Sequence, residues 1–463
     1  MTFGTLIQQQ RKHVASGACD PEAARRDSLR RLLAAIEGNE RALLDALRDD
    51  LGKGEVEAFT SEVQMTAAEC RYALKHLKSW MKPERRAVPM LARPGRAVVR
   101  REPCGVALIL GPWNYPLQLL LTPLVGALAG GNTAVLKPSE LAPRTAEEIA
   151  RIIGTAFDPS ELAVVTGGPE AAVGLLEERF DHVFFTGSTG TGRKVAAAAA
   201  RHLTPVTLEL GGKCPVLVFG GDEAGTARLK DSMDVVARRI AWGKHLNAGQ
   251  TCVAPDHVLV DRRLHDPLVE ALGRAFKSFE GGEYGRLVNR RHFDRVLAFL
   301  GDGTIASGGG SDPERLHLEP TVLTGVSAES PVMNDEIFGP VLPVMSFESL
   351  DEALALVRSR PDPLAVYVFS KDEGVVERVA ASTRSGGVCV NDTVVHITGF
   401  ELPFGGVGDS GMGRYRGKSG FETFTRERVV LRRGLWPDLP FRYPSPKQTL
   451  AALKKLPRFL RGG

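Results

Sequence analysis

Paired cysteines are missing from this chain. Its six cysteines form no CxxC or CxxxxC spacing, and 463 residues need no disulfide staples to hold a core. Reduced thiols are therefore expected, in the cytoplasm. The ten histidines show no HExxH or other ligand spacing, so no metal centre is expected. An excess of one charge is also missing: 59 basic residues against 55 acidic leave +4, too little for a nucleic-acid footprint. The longest apolar run, Pro116 to Gly130, is too short to span a bilayer and contains Gln118; it reads as a buried helix. The opening MTFGTLIQQQRKH lacks the apolar core of a signal peptide. No internal repeat or low-complexity tract is present.

What is there is an ordinary globular composition on a chain long enough for two or three domains. From Pro21 to about Met81, leucines and isoleucines recur at helical spacing, with a break at Gly38 and Asn39. Arg86 to Arg101 predicts a projecting β-hairpin, with Ala87–Leu91 and Ala97–Val99 on either side of Pro94-Gly95. From Gly105 strands and helices alternate. Strands are expected at Val106–Leu110, Ala134–Leu136, Ala163–Val165, Val183–Thr186 and Val206–Leu210. Such alternation argues for an α/β fold with a parallel sheet covered on both faces, and with ligands at the carboxyl ends of its strands. A second α/β stretch starts with a strand at Pro215–Phe219, and Gly301–Asp312 reads as a surface loop.

Three segments sit where such folds build sites. Gly249-Gln250-Thr251-Cys252 puts a thiol on a small-residue loop after a helix. Leu208-Glu209-Leu210-Gly211-Gly212-Lys213 puts a carboxylate at a strand end before two glycines. Gly111-Pro112-Trp113-Asn114-Tyr115-Pro116 puts an amide on a stiff turn. Each alone has a plainer reading: a buried small hydrophobe, a solvated charge, a turn-holding asparagine. Gly187 to Gly192 is glycine-rich and opens a helix after a strand, a position suited to phosphate, but it is neither GxGxxG nor GxxxxGK.

Taken together, GPWNYPLQLLLTP, GNTAVLKPSE, FFTGSTGTGR, LELGGKCP, AWGKHLNAGQTCVAPD, EIFGPVLPV and the glycine-rich stretch from Val390 to Phe424 resemble the aldehyde dehydrogenase family. The likeness is to its shorter class 3 type, which acts on fatty and aromatic aldehydes. It runs in order from Gly111 to Phe424. Gly220 to Lys230 departs from it, looking longer than the corresponding class 3 loop.

The resemblance implies that Cys252 is the nucleophile, Asn114 an oxyanion donor and Glu209 the general base that activates water. A thiol near its free pKa of ~8.5 is only a few per cent thiolate at neutral pH, so its surroundings matter. Losing one oxyanion donor costs roughly 10²–10³ in rate, and a base in an apolar site gains from a raised pKa. It further implies NAD or NADP as cofactor, with Lys137 and Glu140 at the adenine ribose. Thr186, Gly187, Ser188, Gly190 and Gly192 would lie by the pyrophosphate, and Glu336 and Phe338 at the nicotinamide end. Tyr115, His396 and Phe404 are placed at the substrate entrance, with a structural role equally open for the last two.

The implied architecture is aldehyde dehydrogenase-like. A Rossmann-like cofactor domain takes residues 1–84 and 103–211, a catalytic α/β domain 212–394, and a small β bridging domain 85–102 and 395–440. A basic tail covers 441–463. A homodimer is expected because the hairpin's edges need partners. The tail, with Leu450, Leu453, Leu456, Phe459 and Leu460 among basic residues, can make weak peripheral contact with a membrane or stay solvated. Two other outcomes stand open: a CoA-acylating dehydrogenase, which would generally lack a base such as Glu209, and an inactive protein that kept the fold.

Overall fold

The computed structural model describes residues 2–89, 92–438, 443–444 and 449–455. Short, fully buried apolar runs such as Val106–Leu110, Pro215–Val218 and Ala365–Phe369 form the inner strands, as expected of parallel sheets covered on both faces. One six-stranded sheet runs in the order Gly411–Met412, Val206–Leu210, His182–Gly187, Val106–Leu110, Thr133–Lys137, Leu162–Val164. All its pairings are parallel except that of Gly411–Met412, which lies antiparallel to Val206–Leu210.

A seven-stranded sheet runs Thr304–Ser307, Thr321–Thr324, Val341–Phe347, His257–Asp261, Pro215–Val218, Ala365–Phe369, Gly387–Val390. It is parallel apart from its Thr304–Ser307 edge. The chain passes from the first sheet to the second through Gly211-Gly212-Lys213-Cys214, so Glu209 stands beside the junction.

A three-stranded antiparallel ribbon joins Glu84–Arg86, Gly95–Pro103 and Thr425–Arg433. The hairpin is therefore lopsided. Ala87, Val88 and Pro89 carry no strand, and the pairing runs from Glu84↔Val99 to Arg86↔Ala97. Pro89 has no N–H for a ladder, which is why the apolar stretch before Pro94-Gly95 does not extend the strand; Met90 and Leu91 lie outside the described residues.

Gly301–Asp312 corrects the surface-loop expectation. It holds the edge strand Thr304–Ser307 and the short strand Ser311–Asp312. A four-residue strand amid glycines gives too short a period to read. Gly220–Lys230, set apart as an extended loop, folds into the helix Glu223–Lys230, capped by Asp222 accepting from the Gly225 N–H at 2.6 Å.

The N-terminal helix Phe3–Ala15 was not foreseen. It buries Leu6, Ile7 and Gln10, and Gln10 Nε2 donates to the carbonyls of Ala134 and Pro159. The helix Gln118–Gly130 is buried along its whole length, as its unbroken apolar run requires. Among the described residues no helix is long and apolar enough to cross a membrane, and no group of three His, Cys, Asp or Glu could hold a metal ion. Most of the basic tail, including Leu456, Phe459 and Leu460, lies outside the described residues.

Candidate active site

The thiol loop is built from strained backbone. After the helix Met233–His245, Asn247 and Ala248 adopt φ of 51° and 52°, and Gly249 follows at 73°. Left-handed backbone costs about 1–2 kcal/mol per non-glycine residue and persists only where its surroundings over-determine it. Here they do. The Asn247 N–H donates to Glu57 Oε1 at 2.7 Å, and its side-chain amide donates to the Asn114 and Gln250 carbonyls at 2.8 and 3.2 Å. Gln250 Nε2 donates to the carbonyls of Asn247 and Arg286, each at 3.0 Å. This braced turn delivers Cys252, which is partly exposed while Thr251 beside it is buried.

The Asn114 loop locks onto the thiol loop. Asn114 follows the strand Val106–Leu110, is 4% exposed, and donates from Nδ2 to the Gln250 carbonyl at 3.0 Å. Tyr115 shares a 2.7 Å hydrogen bond with Thr251. The amide at 114 is thus pinned two residues before the sulfur's own position.

Glu209 is 3% exposed, and neither carboxylate oxygen has a hydrogen-bond partner. Burial raises its pKa well above the usual carboxylate range, and the Arg416 and Arg414 charges only partly oppose this. Burial first, then the carboxylates of Glu336 and Glu209, push the Cys252 thiol up to about 12. At neutral pH the resting sulfur therefore holds its proton.

Glu336 reaches this place because Gly211 has no side chain: a Cβ there would lie 2.1 Å from Glu336 Oε2. Burial, then Asp256, raises the Glu336 pKa to about 8. Lys213 fixes the same segment, donating to Asp256 at 2.5 Å and to the carbonyls of Val332 and Asp335 at 2.8 and 2.9 Å. Phe338, at φ 46°, packs edge-on to Trp113 with ring centres 5.3 Å apart.

The carboxyl ends of the first sheet gather groups whose chemistry can be compared with what a dinucleotide needs. Ser188 caps the helix Thr189–Ala200, accepting from the Thr191 N–H at 3.3 Å, so the remaining free N–H groups of that end can meet phosphate. Thr186 Oγ1 is buried without a partner, and the space around Gly190 is open. A Cβ on Gly192 would lie 2.6 Å from Leu210, so the glycine lets the helix close onto the sheet. Lys137, at the end of its strand, pairs with Glu140 at 2.8 Å. An anion-ready helix end, an orphan hydroxyl and a cation–carboxylate pair suit a nicotinamide dinucleotide.

The three residues placed at the entrance are less open than that role suggests. Tyr115 is 8% exposed and braced from behind by Lys53. Phe404 is buried against the Tyr415 ring. His396 has both ring nitrogens buried without partners, and desolvation lowers its pKa to about 4, so it is neutral. The sequence reading missed Lys53, Glu62, Tyr415 and Arg416. The Arg416 guanidinium is 3% exposed, sits over the Phe404 and Tyr415 rings, and has no ion-pair partner among the described residues. Its position in the glycine-rich stretch was visible; its burial was not.

Comparison with known proteins places the chain in a family. The sequence model of the aldehyde dehydrogenase family matches residues 10–430. The 4,4'-diaponeurosporen-aldehyde dehydrogenase of Staphylococcus aureus is 45% identical over 88% of this chain and 88% of its own. The rat "aldehyde dehydrogenase, dimeric NADP-preferring" is 43% identical over 94% of this chain and 95% of its own. A solved structure described as the substrate-bound state of Staphylococcus aureus AldH superposes with a TM-score of 0.93 at 39% identity, covering 98% of this chain and 99% of that one. With the family model, the relatives and the fold in agreement, this chain belongs to the aldehyde dehydrogenase family.

Proposed function

We propose that the protein oxidises aldehydes to carboxylic acids through a thioester on Cys252. The reading rests on one observation: the Asn114 amide is tied to the Gln250 carbonyl beside the thiol, while Glu209 lies buried and unpartnered in reach of the same sulfur's charge. Sγ of Cys252 gives its proton to water and bonds to the aldehyde carbon, whose C=O π bond opens onto the oxygen. The carbonyl oxygen becomes an oxyanion held by Asn114 Nδ2 and the Cys252 N–H, donors fixed in advance of the charge they stabilise.

Bound NAD or NADP supplies a hydride acceptor. Lys137 and Glu140 would hold its adenine ribose; Thr186, Gly187, Ser188, Gly190 and Gly192 would face its pyrophosphate; Glu336 and Phe338 would hold its nicotinamide end. When the carbon has lost its hydride, it remains on Cys252 as a thioester. Glu209 then takes a proton from water, the new hydroxyl bonds to the thioester carbon, the C–S bond breaks, and the acid leaves.

Medium- or long-chain aliphatic and aromatic aldehydes are the proposed substrates. A relative named for 4,4'-diaponeurosporen-aldehyde supports this. The proposed division into cofactor, catalytic and bridging parts is supported by the six-stranded sheet, the seven-stranded sheet and the three-stranded ribbon being separate sheets. A homodimer is supported by Val429 and Leu431, 68% and 51% exposed on the ribbon, and by the word "dimeric" in a relative's name. Free thiols support the cytoplasm; weak membrane contact rests on the tail's sequence alone.

The test is kinetic. Cys252→Ala should form no NAD(P)H from any aldehyde. Glu209→Gln should give a burst of about one NAD(P)H per site and then stall with acyl-enzyme visible by mass spectrometry. Sustained turnover by the Cys252 variant refutes the reading.

A further inference from the structure

Behind the Asn114 loop lies a fully buried ion pair that the chemistry above does not use. Lys53 stands between Gly52, which ends the helix Glu40–Leu51 at φ 63°, and Gly54, which begins the next helix. That next helix contains a π-helical turn, Phe59–Val63, before it continues as Gln64–Trp80. Such turns insert an extra residue and recur at functional sites. The turn places Glu62 in the interior, where Lys53 Nζ meets Glu62 Oε1 at 2.5 Å; both side chains are 0% exposed.

Every remaining hydrogen bond of this pair goes to the segment that carries Asn114. Lys53 Nζ donates to the Asn114 backbone carbonyl at 3.1 Å and lies 4.0 Å from the centre of the Tyr115 ring. Glu62 Oε2 accepts from the N–H groups of Leu117 and Gln118, at 2.9 and 3.3 Å. The backbone from 114 to 118 is thereby gripped at both ends, its carbonyl by a cation and its amides by an anion.

A buried pair is a poor way to gain stability. Removing two charges from water costs several kcal/mol each, and an apolar pair of equal volume often serves as well. Its value must lie in where it holds the backbone.

We infer that Lys53 and Glu62 are positioning residues for the oxyanion site, setting the height and tilt of the Asn114 amide relative to Cys252. This rests on the reading of Asn114 as oxyanion donor. A shift of about 1 Å in such a group costs on the order of 10²-fold in rate.

The test is a double-mutant cycle on the full-length enzyme, reading kcat/KM for aldehyde under saturating cofactor. Lys53→Met/Glu62→Gln removes both charges and keeps the side-chain lengths; Glu62→Gln alone replaces it if the double variant does not fold by circular dichroism. In the native background the loss should be tenfold or more, with dinucleotide affinity by fluorescence titration unchanged. In an Asn114→Ala background the same substitutions should cost less than about twofold, because the group they position is gone. Equal losses in both backgrounds, or no loss in a folded variant, overturn the inference while leaving Asn114 in its role. A fully active Asn114→Ala enzyme instead overturns the oxyanion reading itself, and the inference with it.

Discussion

Gly211 and Glu336 occupy each other's space: a single methyl group on the first would lie 2.1 Å from a carboxylate oxygen of the second. The Glu336 carboxylate fills the space that a side chain at 211 would take, and Lys213, two residues on, ties the same turn to the carbonyls of Val332 and Asp335. Gly211→Ala should therefore displace Glu336 with little effect on global stability. The expected result is at least a tenfold rise in KM for the dinucleotide at an unchanged melting temperature. Unaltered cofactor KM would remove Glu336 from the proposed cofactor end.

The nucleophile loop makes a similar demand. Gly249 has φ 73°, and a Cβ would fall 2.2 Å from the Gly339 carbonyl. Gly249→Ala should force the loop from its braced geometry and lower kcat on the order of 10²-fold. Steady-state kinetics checks this, with thiol titration of Cys252 to show whether the sulfur has moved.

Activity should climb with pH. Cys252 and Glu209 both have raised pKa values, from burial first, so each gives up its proton at a higher pH than a free thiol or carboxyl and becomes reactive as pH rises. Arg416 is the first charge opposing the shift at Glu209. Arg416→Leu removes that cation, so the carboxyl should ionise later and the acid limb of the kcat profile should move to higher pH. A limb that stays in place or moves down would mean that Glu209 does not govern turnover.

Mild acid should destabilise the fold. His182 is buried, bonds Thr207 at 3.1 Å, and has its pKa lowered to about 4 by desolvation. Unfolded, it takes a proton near pH ~6.5. Above that pH it contributes no penalty; as pH falls toward 4 the unfolded state gains protons first, at up to about 1.4 kcal/mol per pH unit. His396, lowered to about 4 as well, acts in the same direction. Urea midpoints from pH 7.5 to 4.5 should fall more steeply in the native protein than in His182→Leu. Parallel slopes would exclude His182 as a source.

The strands were readable because buried parallel strands are short apolar runs: Val106–Leu110 is wholly apolar, and Val206–Leu210 carries only Thr207 and Glu209 among apolar residues. Asn114, Glu209 and Cys252, the proposed catalytic groups, stand out in the sequence because turn and strand-end chemistry flanks each in a recognisable string. The helix Phe3–Ala15 escaped notice because its burial is thin, three residues on one face. Lys53, Glu62 and Arg416 escaped because a charged residue in sequence looks solvated.

Residue order alone determined the periodicity of the elements and the chemical groups on offer: a thiol, an amide, a carboxylate and glycines where backbones must approach. Tertiary packing decided which charges were taken from water and what met them there. Lys53 and Glu62 lie nine positions apart, yet they grip a loop more than fifty residues away. Desolvation and long-range proximity are properties of the folded interior, which no local pattern encodes.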